Sequence, residues 1–426
     1  MTSEQQTEVA VAAALEAVEV NRELLVEQSA ALVRIPSVIG QEGAAQAHMA
    51  GLYRELGLEV TLLEADHDEI SRHPMFCDAG LAPDDRPNVI GRLPGTGGRS
   101  LALNGHVDVV SPEPVDAWTR DPFGGERIGN RLYGRGAADM KAGHIASYVA
   151  LRSVIEAGIE LQGDVLLHSV VEEEAGGGHG TLATLAAGHL ADALFIPEPL
   201  DQRIIVAHPG VNYFRVRVVG RTAHAAKTQD GVNAITKILP IYQALEDLEV
   251  ERWGRYDDPF FAEWGGRAVN LNRGRLEAGD WVSTVAGSAT LECRVSFIPP
   301  QTEDDLKREI EERVHTVADA DPWLRDHPPQ IEWFGWRTEP WIQDPDVPFI
   351  HELEGVLRSQ GLPVKRMASA AGLDNRFGTA FGMQSVCYGP HGEHWHGIDE
   401  YVDLDSVMSV ARVAAALIVR WCGVRT

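Results

Sequence analysis

Residues 164–174 read DVLLHSVVEEE, an apolar run of strand length that breaks into three successive carboxylates. Such a run suits a strand covered on both faces of a sheet. Its carboxyl end is where α/β sheets collect their sites. The same pattern recurs outward from it. Residues 101–104 (LALN) are followed by Gly105-His106-Val107-Asp108, and residues 193–196 (ALFI) by Pro197-Glu198. Residues 384–388 (QSVCY) lead into a loop holding His391, His394 and His396. Apolar spacing and stop residues predict helices over 4–33, 42–56, 139–157, 347–360 and 404–421. Asp139 sits where an N-cap would, and Gly57 and Gly158 where helices end. Short buried strands alternating with helices predict an α/β core.

The pattern changes after about Pro209. Residues 211–219 (VNYFRVRVV) alternate like a strand covered on one side only. A helix is expected over 231–248, strands over 268–276 and 281–297, a charged helix over 302–317 and a last strand over 330–334. Strand–helix–strand–strand–helix–strand is the ferredoxin-like α+β order. From about Glu339 the α/β character returns. The reading is one α/β domain, 1–209 with 339–426, interrupted by an inserted domain, 210–338.

A chain of 426 residues is too long for one ordinary domain. Hydrophobic residues at 44% and charged residues at 23% are ordinary for a globular protein, which excludes a disordered or fibrous role. Lys plus Arg is 37 and Asp plus Glu is 63, so the formal charge is 37 − 63 = −26. Such a surface repels phosphate backbones and anionic lipids, so neither nucleic acid nor membrane is an expected partner. No window approaches the roughly 18 apolar residues of a membrane span. The first residues lack the basic-then-apolar order of a secretory signal. The four cysteines form no C-x-x-C pair, against a disulfide framework or a structural zinc knuckle. A cytoplasmic location is the expectation.

Five elements in order thus bring imidazoles and carboxylates to strand ends or turns. Clustered like charges repel unless a cation sits among them. Two histidines with three carboxylates suit a pair of divalent metals that share a bridging carboxylate. Other chemistries lack their motifs. No G-x-S-x-G occurs, GTGGRS lacks the third glycine of a dinucleotide turn, no P-loop exists, and His351-Glu352 is followed by Gly355 rather than by the histidine of H-E-x-x-H.

The chain resembles the acetylornithine deacetylase / succinyl-diaminopimelate desuccinylase family, which also holds aminoacylases, glutamate carboxypeptidases and some dipeptidases. The stretches that carry the resemblance are RPNVIGRLPGTGGRSLALNGHVDVV, WTRDPFGGERIGNRLYGRGAADMKAG, VVEEEAGGGHGT, ALFIPEP, GRTAHAAKTQDGVNAI and HWHGIDEYVDL. They follow the family's order along most of the chain. The resemblance implies a zinc-exopeptidase-like α/β catalytic domain with an inserted ferredoxin-like lid that commonly mediates homodimerisation. It implies His106, Asp139 and Glu198 at a first metal, with Asp139 bridging, and Glu174 and His396 at a second. His396 is preferred over His391 and His394 because it alone begins H-x-x-D-E-Y-V. Asp108 matches the aspartate that orients the ligand histidine. Glu173 matches the general base. The family usually has Asp-Glu-Glu where this chain has Glu172-Glu173-Glu174, and the following Ala175-Gly176 keeps the register.

By the same resemblance His224 is a lid histidine that reaches the neighbouring subunit's site and binds the substrate carbonyl. Arg294 and Arg376 stand where related enzymes hold a substrate carboxylate. The two ions are expected to be zinc, with cobalt or manganese suiting the same ligands. A water shared by them loses its proton near neutral pH, and Glu173 takes that proton as the amide is attacked and returns it to the leaving nitrogen. The expected reaction is deacylation of an N-acyl amino acid or similar small amine. The rivals are a metallo-exopeptidase with the same mechanism and, more remotely, a non-catalytic binding protein. His144, His179 and His208 are read as structural, and residues 66–69 (DHDE) as a solvated loop.

Overall fold

The computed structural model describes residues 2–255 and 258–425. Its strands are β1 (Glu59–Leu63), β2 (Asn88–Leu93), β3 (Leu101–His106), β4 (Glu126–Ile128), β5 (Arg131–Tyr133), β6 (Val165–Val170), β7 (Ala193–Ile196), β8 (Ile204–His208) and β9 (Gly210–Val219). They continue as β10 (Leu271–Ala278), β11 (Ser288–Phe297), β12 (Gln330–Thr338), β13 (Trp341–Ile342), β14 (Arg366–Ala368), β15 (Gln384–Cys387), β16 (Gly392–Glu393) and β17 (Tyr401–Asp403). The chain forms two compact units. One comprises the residues up to Val206, Gln343–Met367 and everything from Leu373 onward; the other comprises Ala207–Ile342 and Ala368–Gly372.

The first unit is built on a mixed sheet whose order runs β1-β2-β6-β3-β7-β15-β8. β3 pairs parallel to β6 and β7, and β7 to β15, whereas β1, β2 and β8 pair antiparallel. Every residue of β3, β6 and β7 is buried, as near-continuous apolar runs require when both faces are covered. Ile90, Ala102, Leu166, Leu194 and Ile196 pack with Leu182, Leu185 and Phe377 in one cluster. Helices Ser3–Val20, Ala142–Glu156 and Leu404–Cys422 pack together as a second layer. Three parallel strands therefore end at one rim, with His106 the last residue of β3 and Glu172 and Glu198 each two residues beyond β6 and β7.

The second unit is a four-stranded antiparallel sheet of order β10-β11-β9-β12. Helices Ala234–Arg252 and Glu303–Ala320 connect β9 to β10 and β11 to β12, which is the ferredoxin-like arrangement. Alternate residues of β9 (Phe214, Val216, Val218) and β11 (Leu291, Cys293, Val295) meet Ile238, Ile241 and Leu245 of the first helix and Leu306, Ile310 and Val314 of the second. This single covered face is what the period-two pattern of β9 requires.

The structure differs from sequence expectation in places that have physical causes. The helix expected over 4–33 breaks at Asn21, whose side chain donates to the Ala17 carbonyl at 3.0 Å and to Glu156 at 2.7 Å. Asp139 is not an N-cap: residues 137–141 form an irregular turn, with φ −111° and ψ 97° at Asp139, and the regular helix begins at Ala142. The strand expected from 281 begins at Ser288, and Trp281 and Val282 are exposed before it. Short strands β4, β5, β16 and β17 build a small separate sheet that carries no apolar period long enough to announce it.

Candidate metal centre and active site

His106 ends β3, and its Nδ1 lies 2.9 Å from the Asp108 carbonyl oxygen and 3.5 Å from Asp108 Oδ1. Its Nε2 therefore faces the rim, 3.2 Å from Asp139 Oδ1 and 3.5 Å from Glu198 Oε1. His396, on the loop between β16 and β17, lies 2.9 Å from Glu174 Oε2 and 3.4 Å from Asp139 Oδ2. The two oxygens of Asp139 thus face different histidines. Two ligand triads result, His106–Asp139–Glu198 and Asp139–Glu174–His396, and the donor atoms within each lie within 4.8 Å of one another.

Asp108 ties the loop after β6 to His106. Its carboxylate accepts from the Glu173 amide at 3.2 Å and the Glu174 amide at 3.0 Å. Glu172, by contrast, turns away from the rim. Its backbone is left-handed (φ 64°), its carboxylate lies 2.6 Å from Arg86 and 2.8 Å from His179 Nδ1, and all three side chains are buried. Arg86 also reaches Glu42 at 3.5 Å, and His179 Nε2 lies 3.0 Å from His67 Nδ1. The 66–69 stretch is exposed, yet its His67 abuts this buried chain. Gly143 lets the following helix close on the site, since a Cβ there would stand 2.1 Å from the Pro197 carbonyl oxygen.

The electrostatics fit a cationic occupant. Burial pushes the Glu198 carboxyl up to about 8, helped by repulsion from Asp139. Burial likewise raises Glu174, with Asp139 adding to it, and pushes Glu173 well up, with Asp374 adding to it. The Glu174 charge is the main cause that lifts His396 to about 11. So many buried carboxyls resist joint ionisation when only two imidazoles balance them. Divalent cations among the oxygens relieve that conflict, and mixed imidazole–carboxylate shells suit zinc or a similar ion.

The remaining candidates lie elsewhere. His391 pairs with Asp201 at 2.5 Å, and His394 packs edge-on against Tyr401, so His396 alone of the three joins the cluster. Arg376 is buried and donates to the Leu373 carbonyl at 2.9 Å and the Gly176 carbonyl at 2.7 Å. Arg294, in the second unit, donates to Asn270 Oδ1 at 2.5 Å and Ser296 Oγ at 3.1 Å. His224, also in the second unit, is exposed and accepts from the Ala226 amide at 3.0 Å. Sequence reasoning passed over Asp374, a buried carboxylate that raises Glu173, and the Arg86–Glu172–His179 chain. The LDNRF stretch was the available signal for Asp374, and the first carboxylate of the Glu-Glu-Glu run for Glu172.

An α/β sheet with carboxylates and imidazoles at its rim, plus a separate antiparallel α+β unit, is the arrangement of a metallohydrolase. The sequence profile of Peptidase family M20/M25/M40 matches residues 102–420, and the chain belongs to that family. It is an enzyme, a metal-dependent amidohydrolase of the metallopeptidase type. N-formyl-4-amino-5-aminomethyl-2-methylpyrimidine deformylase of Bacillus subtilis is 29% identical, over 95% of this chain and 96% of that protein. Succinyl-diaminopimelate desuccinylase of Methylorubrum populi is 30% identical, over 68% of this chain and 71% of that protein. Among solved structures, human carnosine dipeptidase 1 superposes with a TM-score of 0.74 at 14% identity, covering 97% of this chain and 99% of that one. These relatives by sequence are deacylases, whereas the solved neighbours include peptidases of the same fold.

Proposed function

We propose that the protein is a two-metal deacylase that removes the acyl group from a small N-acyl amine, an N-acyl amino acid included. The observation that carries this reading is Asp139, whose Oδ1 and Oδ2 each face a different histidine–glutamate pair. His106, Asp139 and Glu198 would hold one cation, and Asp139, Glu174 and His396 the other, with zinc the best match to the donors. Cobalt and manganese suit the same shell. When bound, such ions supply Lewis acidity and bring the pKa of coordinated water to roughly 7.

The chain's own groups supply the rest. Asp108 fixes the His106 ring through Nδ1 and holds the two amides of the Glu173–Glu174 loop. Glu173 takes the proton of the attacking water on its carboxylate and delivers it to the departing nitrogen. Proton transfer by a positioned group of this kind contributes on the order of 10²–10⁴ in rate. Both relatives at about 30% identity cleave acyl groups by name, which supports deacylation over peptide cleavage.

In this reading the second unit is a lid and dimerisation domain, and His224 from a second copy donates to the substrate carbonyl oxygen. The exposed Trp281 and Val282 border the segment that pairs with His224 through Thr284, which supports an interface there. Arg294 would contact a carboxylate on the substrate. Arg376 would first have to leave two main-chain carbonyls, bonds to a charged group worth about 1.5–3 kcal/mol each. Its reading is therefore a brace for the loop ending at Gly176.

The test is a panel assay on zinc-reconstituted protein, comparing N-formyl, N-acetyl and N-succinyl amines with di- and tripeptides. Turnover of an N-acyl amine at least about tenfold above any peptide supports the reading; a factor of ten is 1.4 kcal/mol of transition-state binding. Preference for peptides replaces it by an exopeptidase with the same residues.

A further inference from the structure

We infer that Glu400 is a positioning residue that sets the geometry of the Asp139–Glu174–His396 cation site by clamping the turn that carries Asp139 to the loop that carries His396. The inference rests on the two-cation reading above. Glu400 is fully buried and four residues beyond His396. Its Oε2 accepts from Arg135 Nη1 at 2.7 Å and from the Gly136 amide at 3.0 Å. Its Oε1 accepts from the Ala138 amide at 2.9 Å and from the amide of Asp139 itself at 3.1 Å. One carboxylate thus gathers three consecutive-turn amides and a buried guanidinium. The Glu400 carbonyl oxygen in turn accepts from the Gly134 amide, and β17 continues the join by pairing Tyr401 with Tyr133 and Val402 with Leu132.

The residues so joined lie 261 positions apart in sequence. Residues 137–141 lack regular helical geometry; the Ala137 and Lys141 amides donate to the Gly134 and Gly136 carbonyls, whereas those of Ala138 and Asp139 find their acceptor in Glu400. His106 and Glu198, by contrast, follow directly from buried strands β3 and β7. Loss of the clamp therefore disturbs one of three ligands at the first cation, Asp139. At the second it disturbs two, Asp139 and His396. The second cation is the one that loosens.

Glu400→Gln keeps the shape but offers one oxygen and one NH2. One donor pair, Arg135 with Gly136 or Ala138 with Asp139, then faces donors instead of an acceptor. The experiment is a zinc titration of chelator-stripped wild-type and Glu400→Gln protein by competition with a chromophoric chelator, with circular dichroism as the control for folding. Wild type is expected to bind two equivalents. In the variant the weaker step falls by about 10–100-fold, the usual cost of losing a group that orients metal ligands. The stronger step stays within about threefold, and kcat at saturating zinc recovers with little change in KM.

Two equal or two unshifted steps in a folded variant overturn the inference while leaving the two-cation reading intact. A wild type that binds fewer than two equivalents overturns both. Glu400→Asp, which keeps the charge but withdraws it by one methylene, is measured alongside under the same criteria and carries the test if the Gln variant does not fold.

Discussion

The two units solve opposite problems with their charged residues. In the second unit the core is apolar, drawn from alternating positions of β9 and β11 and from two amphipathic helices, and most ion pairs lie outside it. In the first, charged side chains are buried in chains of contacts. Arg86 lies between Glu42 and Glu172, Arg135 meets Glu400, and Lys141 donates to the Leu32 and Ile35 carbonyls. Burying charge costs free energy unless every partner is in place. The first unit accepts that cost around the rim where carboxylates must converge. The second holds no imidazole–carboxylate triad among the described residues; a buried charge there is Arg252, which meets Glu309 at 2.5 Å and the Ser296 carbonyl at 2.7 Å.

The sharpest way to break this contrast is at Glu173. Glu173→Ala should lower kcat by about 10²–10⁴ while zinc content stays at that of wild type, since its carboxyl belongs to neither ligand triad. Assay and elemental analysis of one preparation check both halves, and an active variant with full metal content contradicts the assignment. Next come two stability changes of similar size in different units. Arg86→Ala leaves Glu172 buried without its cation and should cost about 3–5 kcal/mol, and Phe214→Ala should cost about as much in the second unit through the cavity it opens. Calorimetry of the two variants should show different transitions shifting if the units melt separately.

A smaller effect separates them by pH. Burial works to raise Glu303, but hydrogen bonds from Arg337 and Lys307 outweigh it and hold its carboxyl at about 2. Because the folded value lies below the ordinary carboxylate value of 4.5, the group stabilises the second unit above that pH. This contribution fades as pH falls from about 4.5 towards 2. Glu303→Gln should flatten that part of the acid melting curve. The smallest is the capping box at Thr302, where the side chain accepts from the Asp305 amide at 3.2 Å. Thr302→Ala should cost about 1 kcal/mol in chemical denaturation.

The sequence made the strands of the first unit legible because β3, β6 and β7 are apolar runs ended by the very residues that gather at the rim. The βαββαβ order of the second unit was legible for a related reason, its alternation and its acidic helix start. What stayed hidden was set by pairing across long separations. Nothing near Asp139 signals that its turn hangs on Glu400, and nothing near Glu172 signals Arg86. Asp139 was misplaced as a helix cap because an aspartate before an amphipathic run usually is one. Arg376 resembled a carboxylate clamp in sequence, and only its distances to two carbonyls show where its hydrogen bonds go.

The most direct test of the account is anomalous diffraction from crystals grown with zinc. Two peaks roughly 3.5–4 Å apart are expected, both within bonding distance of Asp139, one also against His106 and Glu198 and the other against Glu174 and His396. A single peak, or two that do not share Asp139, would contradict it.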